Sequence, residues 1–169
     1  MKDKTMSKIS ITVVPQLLPD VHQYMVIYFP EKEIEEYGLK PMDRIKVSFD
    51  KDRYIHCALK KDKSGTYCIY LGKFFREKSG ISLGQEVQVN IEKDESDLGM
   101  EMPVEMDEVL AIDEEAMKVW NDITPGRKRS ALYFIAKAKQ EETRIKRALL
   151  VAENLKLGFI NPNQITRKH

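Results

Sequence analysis

Two stretches of the sequence decide the fold: EYGLKPMDRIKVSFDKD at residues 36–52 and KSGISLGQEVQVNIEKD at residues 78–94. They match at a constant offset of 42 residues. In both, a glycine and a hydrophobic residue precede a strand in which apolar and polar side chains alternate. A repeated unit that cannot bury its own apolar face has to pack against its neighbour. The first half of the chain is therefore predicted to be one internally duplicated unit.

Each copy of the repeat is predicted to contain two strands, a short helix and a third strand. The upstream strands are expected at residues 9–14, 22–29, 53–60 and 66–71, and the helices at residues 31–37 and 73–79. Gly38 and Gly80 follow the two helices, as expected where the end of a helix needs a positive φ angle. Two interlocked copies predict a six-stranded β-barrel, closed or nearly closed, with two short helices and pseudo-twofold symmetry.

The second half of the chain changes to helical spacing and predicts a small all-helical domain of about four helices. Asp113 can cap the second of these helices, and the last helix is expected from about residue 141 to residue 156. Thr124 and Pro125 form a strong start signal, because a capping hydroxyl precedes a proline at the first helical position. The predicted boundaries are residues 8–94 for the barrel, 95–103 for a connector, 104–160 for the helical domain and 161–169 for a flexible tail. The fold class of the whole chain is therefore α+β.

The composition predicts a protein that stays in the cytoplasm. Charged residues make up 33% of the chain, and no apolar run is long enough to cross a bilayer, so membrane insertion is not expected. Residues 1–7 are polar and charged and lack the apolar core of a secretory signal. Alternation along the predicted strands places Cys57 and Cys68 on opposite faces, which argues against a disulfide.

Charge is distributed unevenly along the second half of the chain. Residues 97–122 contain nine acidic side chains and one basic side chain. Residues 124–169 contain eleven lysines and arginines against three glutamates. A charge step of this kind marks either opposed surfaces or a site for an anionic partner.

The basic residues of the predicted helices form the candidate binding site. Arg144 and Arg147 are three residues apart and share a helix face, where two guanidinium groups suit a carboxylate or a phosphate. An exposed Tyr133 nearby would suit stacking on an aromatic ligand or a base. The candidate anion surface comprises Arg127, Arg129, Tyr133, Lys139, Thr143, Arg144 and Arg147. In the alternative interpretation, Arg144 and Arg147 pair with acidic residues 97–122 and hold the helices together.

The sequence shows no catalytic or metal-binding pattern. His22, His56 and His169 share no ligand spacing, so no metal site is predicted. Adjacent His56 and Cys57 point to opposite faces of a strand. Glycines occur singly, which argues against the usual phosphate-cradling loops. We therefore expect a binding protein without a cofactor, and not an enzyme.

The first half of the chain resembles two groups of small barrels. The segment FPEKEIEEYGLKPMDRIKV at residues 29–47 resembles the AbrB-like and double-psi barrel group. Residues 8–94 as a whole are similar to a small β-barrel domain of unknown function found in many bacterial proteins. AbrB-like proteins bind DNA as dimers, and here two copies lie in one chain. This resemblance implies nucleic-acid binding as an alternative function, although barrels of this shape host many functions.

The second half resembles the YdeI/OmpD-associated family, also called bacteriocin-protection proteins. The matching stretch is ITPGRKRSALYFIAKAKQEETRIKRALLVAENLKLG at residues 123–158, and AKQEETRIKR at residues 138–147 is its most specific element. The resemblance implies a bacterial protein linked to tolerance of antimicrobial peptides and envelope stress. It implies action through a protein or peptide partner or an anionic ligand, with no established enzymatic reaction.

Overall fold

The computed structural model describes residues 8–18 and 24–169 of the chain. The protein divides into two compact units, Met1–Glu95 and Ser96–His169, which we name the β unit and the helical unit. Residues 1–7 and His22, for which predictions were made above, lie outside the described residues.

Two four-stranded antiparallel sheets form the β unit within the described residues. The strands are β1 (Ile9–Val13), β2 (Gln16–Leu17), β3 (Met25–Phe29), β4 (Arg44–Ser48), β5 (Tyr54–Ala58), β6 (Lys60–Lys61), β7 (Tyr67–Leu71) and β8 (Val87–Lys93). Two short helices, α1 (Glu31–Glu36) and α2 (Lys73–Ser79), precede β4 and β8. The first sheet has the strand order β1-β8-β4-β5, and the second has the order β2-β3-β7-β6.

The prediction of one closed six-stranded barrel is not confirmed. The hydrogen-bonded ladders end at β1 and β5 in the first sheet and at β2 and β6 in the second. The difference arises because the chain leaves the first sheet at two buried corners, Pro15 and Leu59, and adds a two-residue strand to the second sheet after each. Two residues are too few to show an alternating pattern in a sequence. The coarser prediction of an α+β protein is confirmed.

The two copies of the repeat are interleaved. The counterparts of β1, β2, β3 and β4 in the other copy are β5, β6, β7 and β8. If each strand exchanges places with its counterpart, the strand order of each sheet is the same when it is read from the opposite edge. Ile27 pairs with Ile69 across β3 and β7, and Ser48 pairs with Asn90 across β4 and β8. Both pairs are 42 residues apart, so each residue faces its own repeat counterpart. A pseudo-twofold axis therefore passes between the members of each pair, and the fully buried Ile27 and Ile69 place it through the apolar core.

The two corners carry the same backbone hydrogen bond. The N–H of Met42 donates to the carbonyl of Leu59 at 2.7 Å, and the N–H of Gly84 donates to the carbonyl of Pro15 at 2.9 Å. Both donors have left-handed backbone, with φ angles of 74° and 75°. A side chain at such a position costs roughly 1–2 kcal/mol, whereas glycine adopts the conformation freely. Met42 therefore adopts a backbone conformation that favours glycine, and its backbone is strained. Its side chain is 68% exposed.

Replacing Met42 with glycine is expected to raise the free energy of unfolding of the β unit by up to about 1 kcal/mol. The gain would come from relief of backbone strain, because the exposed side chain contributes little packing. Hydrogen exchange of the buried β4 and β8 amides measures it. Met42→Ala is the matched control, since it removes most of the side chain but keeps a Cβ in the left-handed region. An equal gain in both variants would assign the effect to the side chain and contradict the prediction.

Five helices form the helical unit. They are α3 (Val104–Ile112), α4 (Glu114–Asp122), α5 (Pro125–Ala136), α6 (Glu141–Lys156) and α7 (Pro162–Ile165). Two starts follow the sequence signals. The Asp113 carboxylate accepts from the N–H of Ala116 at 3.0 Å, and the Thr124 hydroxyl accepts from the N–H of Arg127 at 3.4 Å. The core of this unit is apolar and includes the fully buried Met106, Leu132, Ile135, Val151 and Leu155.

The predicted count of about four helices is not confirmed, because α7 lies within residues 161–169, which we predicted to be a flexible tail. The side-chain amide of the buried Asn154 donates to the carbonyls of Gln164, Ile165 and Arg167 at 3.3, 3.0 and 2.8 Å. Ile165 is fully buried against the core of the unit. A four-residue helix is too short for helical periodicity to reveal.

No helix in the described part of the chain is both long enough and apolar enough to cross a membrane.

Candidate functional site

Arg144, in the first turn of α6, binds two other parts of the helical unit. Its Nε donates to Oε1 of Glu105 on α3 at 2.6 Å. Its Nη1 donates to the carbonyls of Ala138 and Lys139, directly after α5, at 3.2 and 3.0 Å. The Glu105 side chain is only 6% exposed, so the pair lies largely away from water. Arg144 therefore connects α3, α6 and the end of α5.

Arg147 lies one turn further along α6 and binds the end of α5. Its Nη1 donates to the carbonyl of Phe134 at 2.6 Å, and its guanidinium lies 4.6 Å from the centre of the Phe134 ring. Phe134 belongs to the last turn of α5, where carbonyls lack a partner within the helix. A positive charge at this end is also favoured by the helix dipole. The guanidinium of Arg147 thus caps α5.

The other candidate residues bind separate neighbours. Arg127 donates through Nη2 to the side-chain oxygen of Asn161 at 3.0 Å, and Arg129 donates through Nη1 to the carbonyl of Leu98 at 3.2 Å. Tyr133 is half-buried, with Nζ of Lys137 5.7 Å from its ring centre. Lys139 is exposed and Thr143 is half-buried.

These contacts bear on the two interpretations of the basic residues. Arg144 pairs with a member of the acidic segment 97–122, as the alternative interpretation expected, whereas Arg147 binds a carbonyl and an aromatic ring. The three other arginine and tyrosine candidates, Arg127, Arg129 and Tyr133, contact different partners. The arginines of the candidate anion surface thus serve the packing of the helices.

The environment of Glu105 keeps its carboxylate ionised. The hydrogen bond from Arg144 is the main cause that holds the pKa of Glu105 below its ordinary value, and a backbone hydrogen bond acts in the same direction. Burial opposes both, because it disfavours the charged form. The position of Arg144 over Glu105 is therefore needed to keep a charge in this part of the unit.

Replacing Arg144 with methionine is expected to lower the free energy of unfolding of the helical unit by about 2–3 kcal/mol, because Glu105 would keep a buried carboxylate without its partner. Urea unfolding followed by fluorescence of the buried Trp120, the single tryptophan of the chain, measures the change. Lys146→Met is the matched control on the same helix. The ion pair of Lys146 with Glu142 is exposed, so its loss should cost less than about 1 kcal/mol. Equal losses in both variants would contradict the role of Arg144.

The lowered pKa of Glu105 also makes stability depend on pH. Since the pKa is lower in the folded than in the unfolded state, the stabilisation is complete above the ordinary value and is lost as pH falls through the folded value. The difference in unfolding free energy between wild type and Glu105→Gln should therefore shrink between about pH 7 and about pH 3. Trp120 fluorescence in urea measures both proteins. Glu142→Gln should follow the pH profile of the wild type, and a profile for Glu105→Gln that parallels the wild type would refute this role.

Among the residues that the structure describes, two carboxylates of the acidic segment form ion pairs. Besides Glu105, Asp113 pairs with Lys156 of α6 at 3.0 Å. The N–H of Ala116 and the ammonium of Lys156 hold the pKa of Asp113 below its ordinary value, and the same ion pair raises the pKa of Lys156. Within residues 8–18 and 24–169, no cation lies within 4 Å of the remaining acidic side chains: Asp97, Glu101, Asp107, Glu108, Glu114, Glu115 and Asp122. Much of the negative charge of this segment thus faces solvent.

One polar pair in the β unit was missed by the sequence analysis. Nδ1 of His56 on β5 lies 2.7 Å from Oδ2 of Asp94, directly after β8, and the two side chains are 11% and 3% exposed. Tyr54 packs edge-on against His56, and Lys46 lies 4.2 Å from the centre of the Tyr54 ring. The pair joins the middle of β5 to the end of β8, two strands that are not neighbours in the sheet. No sequence signal reveals it, because the pairing depends on the strand order.

Comparison with known proteins bears on the helical unit. Residues 99–158 match the sequence model of a family described as bacteriocin-protection, YdeI or OmpD-associated. The matched segment spans α3 to α6 and contains the Arg144–Glu105 pair and the Arg147 cap. The resemblance proposed for residues 123–158 is therefore confirmed, and the match extends it to α3 and α4. No curated protein matches the chain.

Proposed function

We propose that the protein is a cytoplasmic, non-enzymatic binding protein that contributes to tolerance of antimicrobial peptides or of envelope stress through a protein or peptide partner. The match of α3 to α6 to a family described as bacteriocin-protection supports the role in tolerance. The site chemistry supports the kind of partner.

The observation that carries this proposal is that the arginines of α6 donate hydrogen bonds within the helical unit. Arg144 and Arg147 donate to Glu105 and to carbonyls at the end of α5, so their guanidinium groups already have acceptors within the protein. Apart from the buried Glu105, the carboxylates of α3 and α4 face solvent, with no cation within 4 Å of them among the described residues. A partner that brings positive charge is therefore favoured over an anionic ligand or a nucleic acid.

For the β unit, we propose the relationship to AbrB-like barrels on narrower grounds. Its support is the pseudo-twofold axis, because Ile27 and Ser48 each face their own repeat counterparts. A duplicated chain of this kind would combine in one molecule what two identical chains supply in a symmetric dimer. The relationship concerns architecture, and it assigns no DNA contact to a named residue.

Expression of the chain in a susceptible bacterium is expected to raise, severalfold, the minimum inhibitory concentration of a cationic membrane-active peptide. The reason is that a cytoplasmic partner of such peptides would lower their free concentration or relay the stress they cause. An antibiotic with an unrelated target is the control, and its inhibitory concentration should not change. Leu132→Asp, which places a charge in the core of the helical unit, should abolish the effect. Unchanged sensitivity to the peptide at full expression of the wild-type chain would refute the proposed role.

A further inference from the structure

Helix α3 carries apolar side chains on both of its faces. Met106, Val109 and Leu110 are buried in the core of the helical unit. On the opposite side, Val104 is 61% exposed and Ile112 is 83% exposed. A surface helix ordinarily turns one apolar stripe inward and polar residues outward. In the described part of the chain, nothing covers the second apolar face of α3 as the core covers the first.

The exposed side chains of α3 share one face. Val104, Glu108 and Ile112 follow each other at four-residue spacing, so they line up along the helix, with Asp107 beside them. At 1.5 Å per residue, Val104 and Ile112 are separated by about 12 Å along the axis, which is two turns. The two apolar side chains, with carboxylates between them, match the spacing at which a bound amphipathic helix would present its own apolar and charged side chains.

Negative charge continues past the end of α3. Glu114 and Glu115 begin α4 one residue after Asp113, and both are exposed. Asp113 itself is held by Lys156, so its charge is already balanced. We define the α3 outer surface as Val104, Asp107, Glu108, Ile112, Glu114 and Glu115. It carries four carboxylates, and no cation lies within 4 Å of them in the part of the chain that the structure describes.

Helix α6, which also contacts α3, carries two exposed apolar side chains of its own. Ile145 and Leu149 are 42% and 52% exposed and share a helix face with Lys156, since Lys156 lies two turns beyond Leu149. The ammonium of Lys156 reaches Asp113, which follows Ile112 directly. Since Arg144 likewise holds Glu105 in the first turn of α3, the start of α6 lies beside the start of α3 and its end lies beside the end of α3.

From this combination we infer that the α3 outer surface binds a cationic amphipathic helix of a peptide or protein. Its apolar face would cover Val104 and Ile112, and its lysines or arginines would meet Asp107, Glu108, Glu114 and Glu115. Charge complementarity selects this occupant, because an anionic helix, a nucleic acid or an acidic membrane surface would be repelled by the same carboxylates. The inference rests on the proposed function and names the partner class and the surface.

The test uses the purified full-length protein and a fluorescein-labelled model peptide of about 18 residues, built from leucine and lysine with helical amphipathic spacing. Three further probes are a scrambled peptide of the same composition, a peptide with glutamate in place of lysine, and a labelled DNA duplex. Fluorescence anisotropy at about 50 and 200 mM salt should show binding of the amphipathic cationic peptide that is weakened by salt. Binding of the scrambled peptide with equal affinity, or of the duplex with higher affinity, would overturn the inference.

Variants locate the binding surface. Glu108→Lys combined with Ile112→Ser should weaken binding at least tenfold, because one change reverses a contact charge and the other removes the exposed apolar side chain. Glu77→Lys combined with Leu157→Ser is the matched control, with the same chemical changes at exposed positions elsewhere, and should alter affinity less than twofold. Thermal unfolding by circular dichroism checks that both proteins are folded. Equal effects of the two double variants would overturn the inference.

A second copy of the chain is the rival occupant, and sedimentation velocity tests it. Concentration-dependent dimerisation that Ile112→Ser abolishes would assign the surface to self-association and overturn the inference. Failures of the two proposals can be distinguished in the survival assay. If Glu108→Lys with Ile112→Ser still protects cells, the surface is wrong and the proposed role stands. If the wild type binds the amphipathic peptide but gives no protection, the surface stands and the proposed role fails.

Discussion

A carboxylate that is almost fully removed from water is the constraint on which the helical unit depends. Glu105 lies in the first turn of α3, where its charge is favoured by the helix dipole but disfavoured by burial. Arg144 resolves the conflict with a direct hydrogen bond, and its second nitrogen reaches the carbonyls that follow α5. One guanidinium therefore fixes the start of α6 relative to α3 and α5. Arg147 then closes the end of α5 from the same helix.

This arrangement changes how the basic segment of the sequence is understood. The count of eleven basic residues after residue 124 suggests a surface that binds an anion. The structure engages Arg127, Arg129, Arg144 and Arg147 with oxygen atoms of the helical unit itself. A count of charges along the chain cannot distinguish anion binding from hydrogen bonding within the protein, because it does not show which donors already have acceptors. The acidic side of the same unit keeps more of its charge in solvent and is the better candidate for recognition.

The sequence best predicted those elements that are long enough to show a repeating pattern. The duplication, the strands of the 42-residue repeat, the caps at Asp113 and Thr124 and the long helix α6 could all be predicted, since each rests on spacing or on a local hydrogen bond. The two-residue strands β2 and β6 and the four-residue helix α7 could not, because they are shorter than the period that would reveal them. The Glu105–Arg144 and His56–Asp94 pairs depend on tertiary packing over 39 and 38 residues. For the candidate site, the sequence identified the acidic segment but did not indicate that α3 is apolar on both faces.

The interleaving of the two repeats has a consequence for how the protein is made. β1 pairs with β8, so during synthesis β1 finds its neighbour only when β8, the last strand of the β unit among the described residues, has left the ribosome. More than 70 residues of unfinished sheet precede that moment, and non-local pairing of this kind slows folding. An apolar β1 with no neighbour is open to pairing with other nascent chains. β4 and β5 are close in sequence and can pair early, but β1 joins the first sheet only in a late step, once β8 has been made.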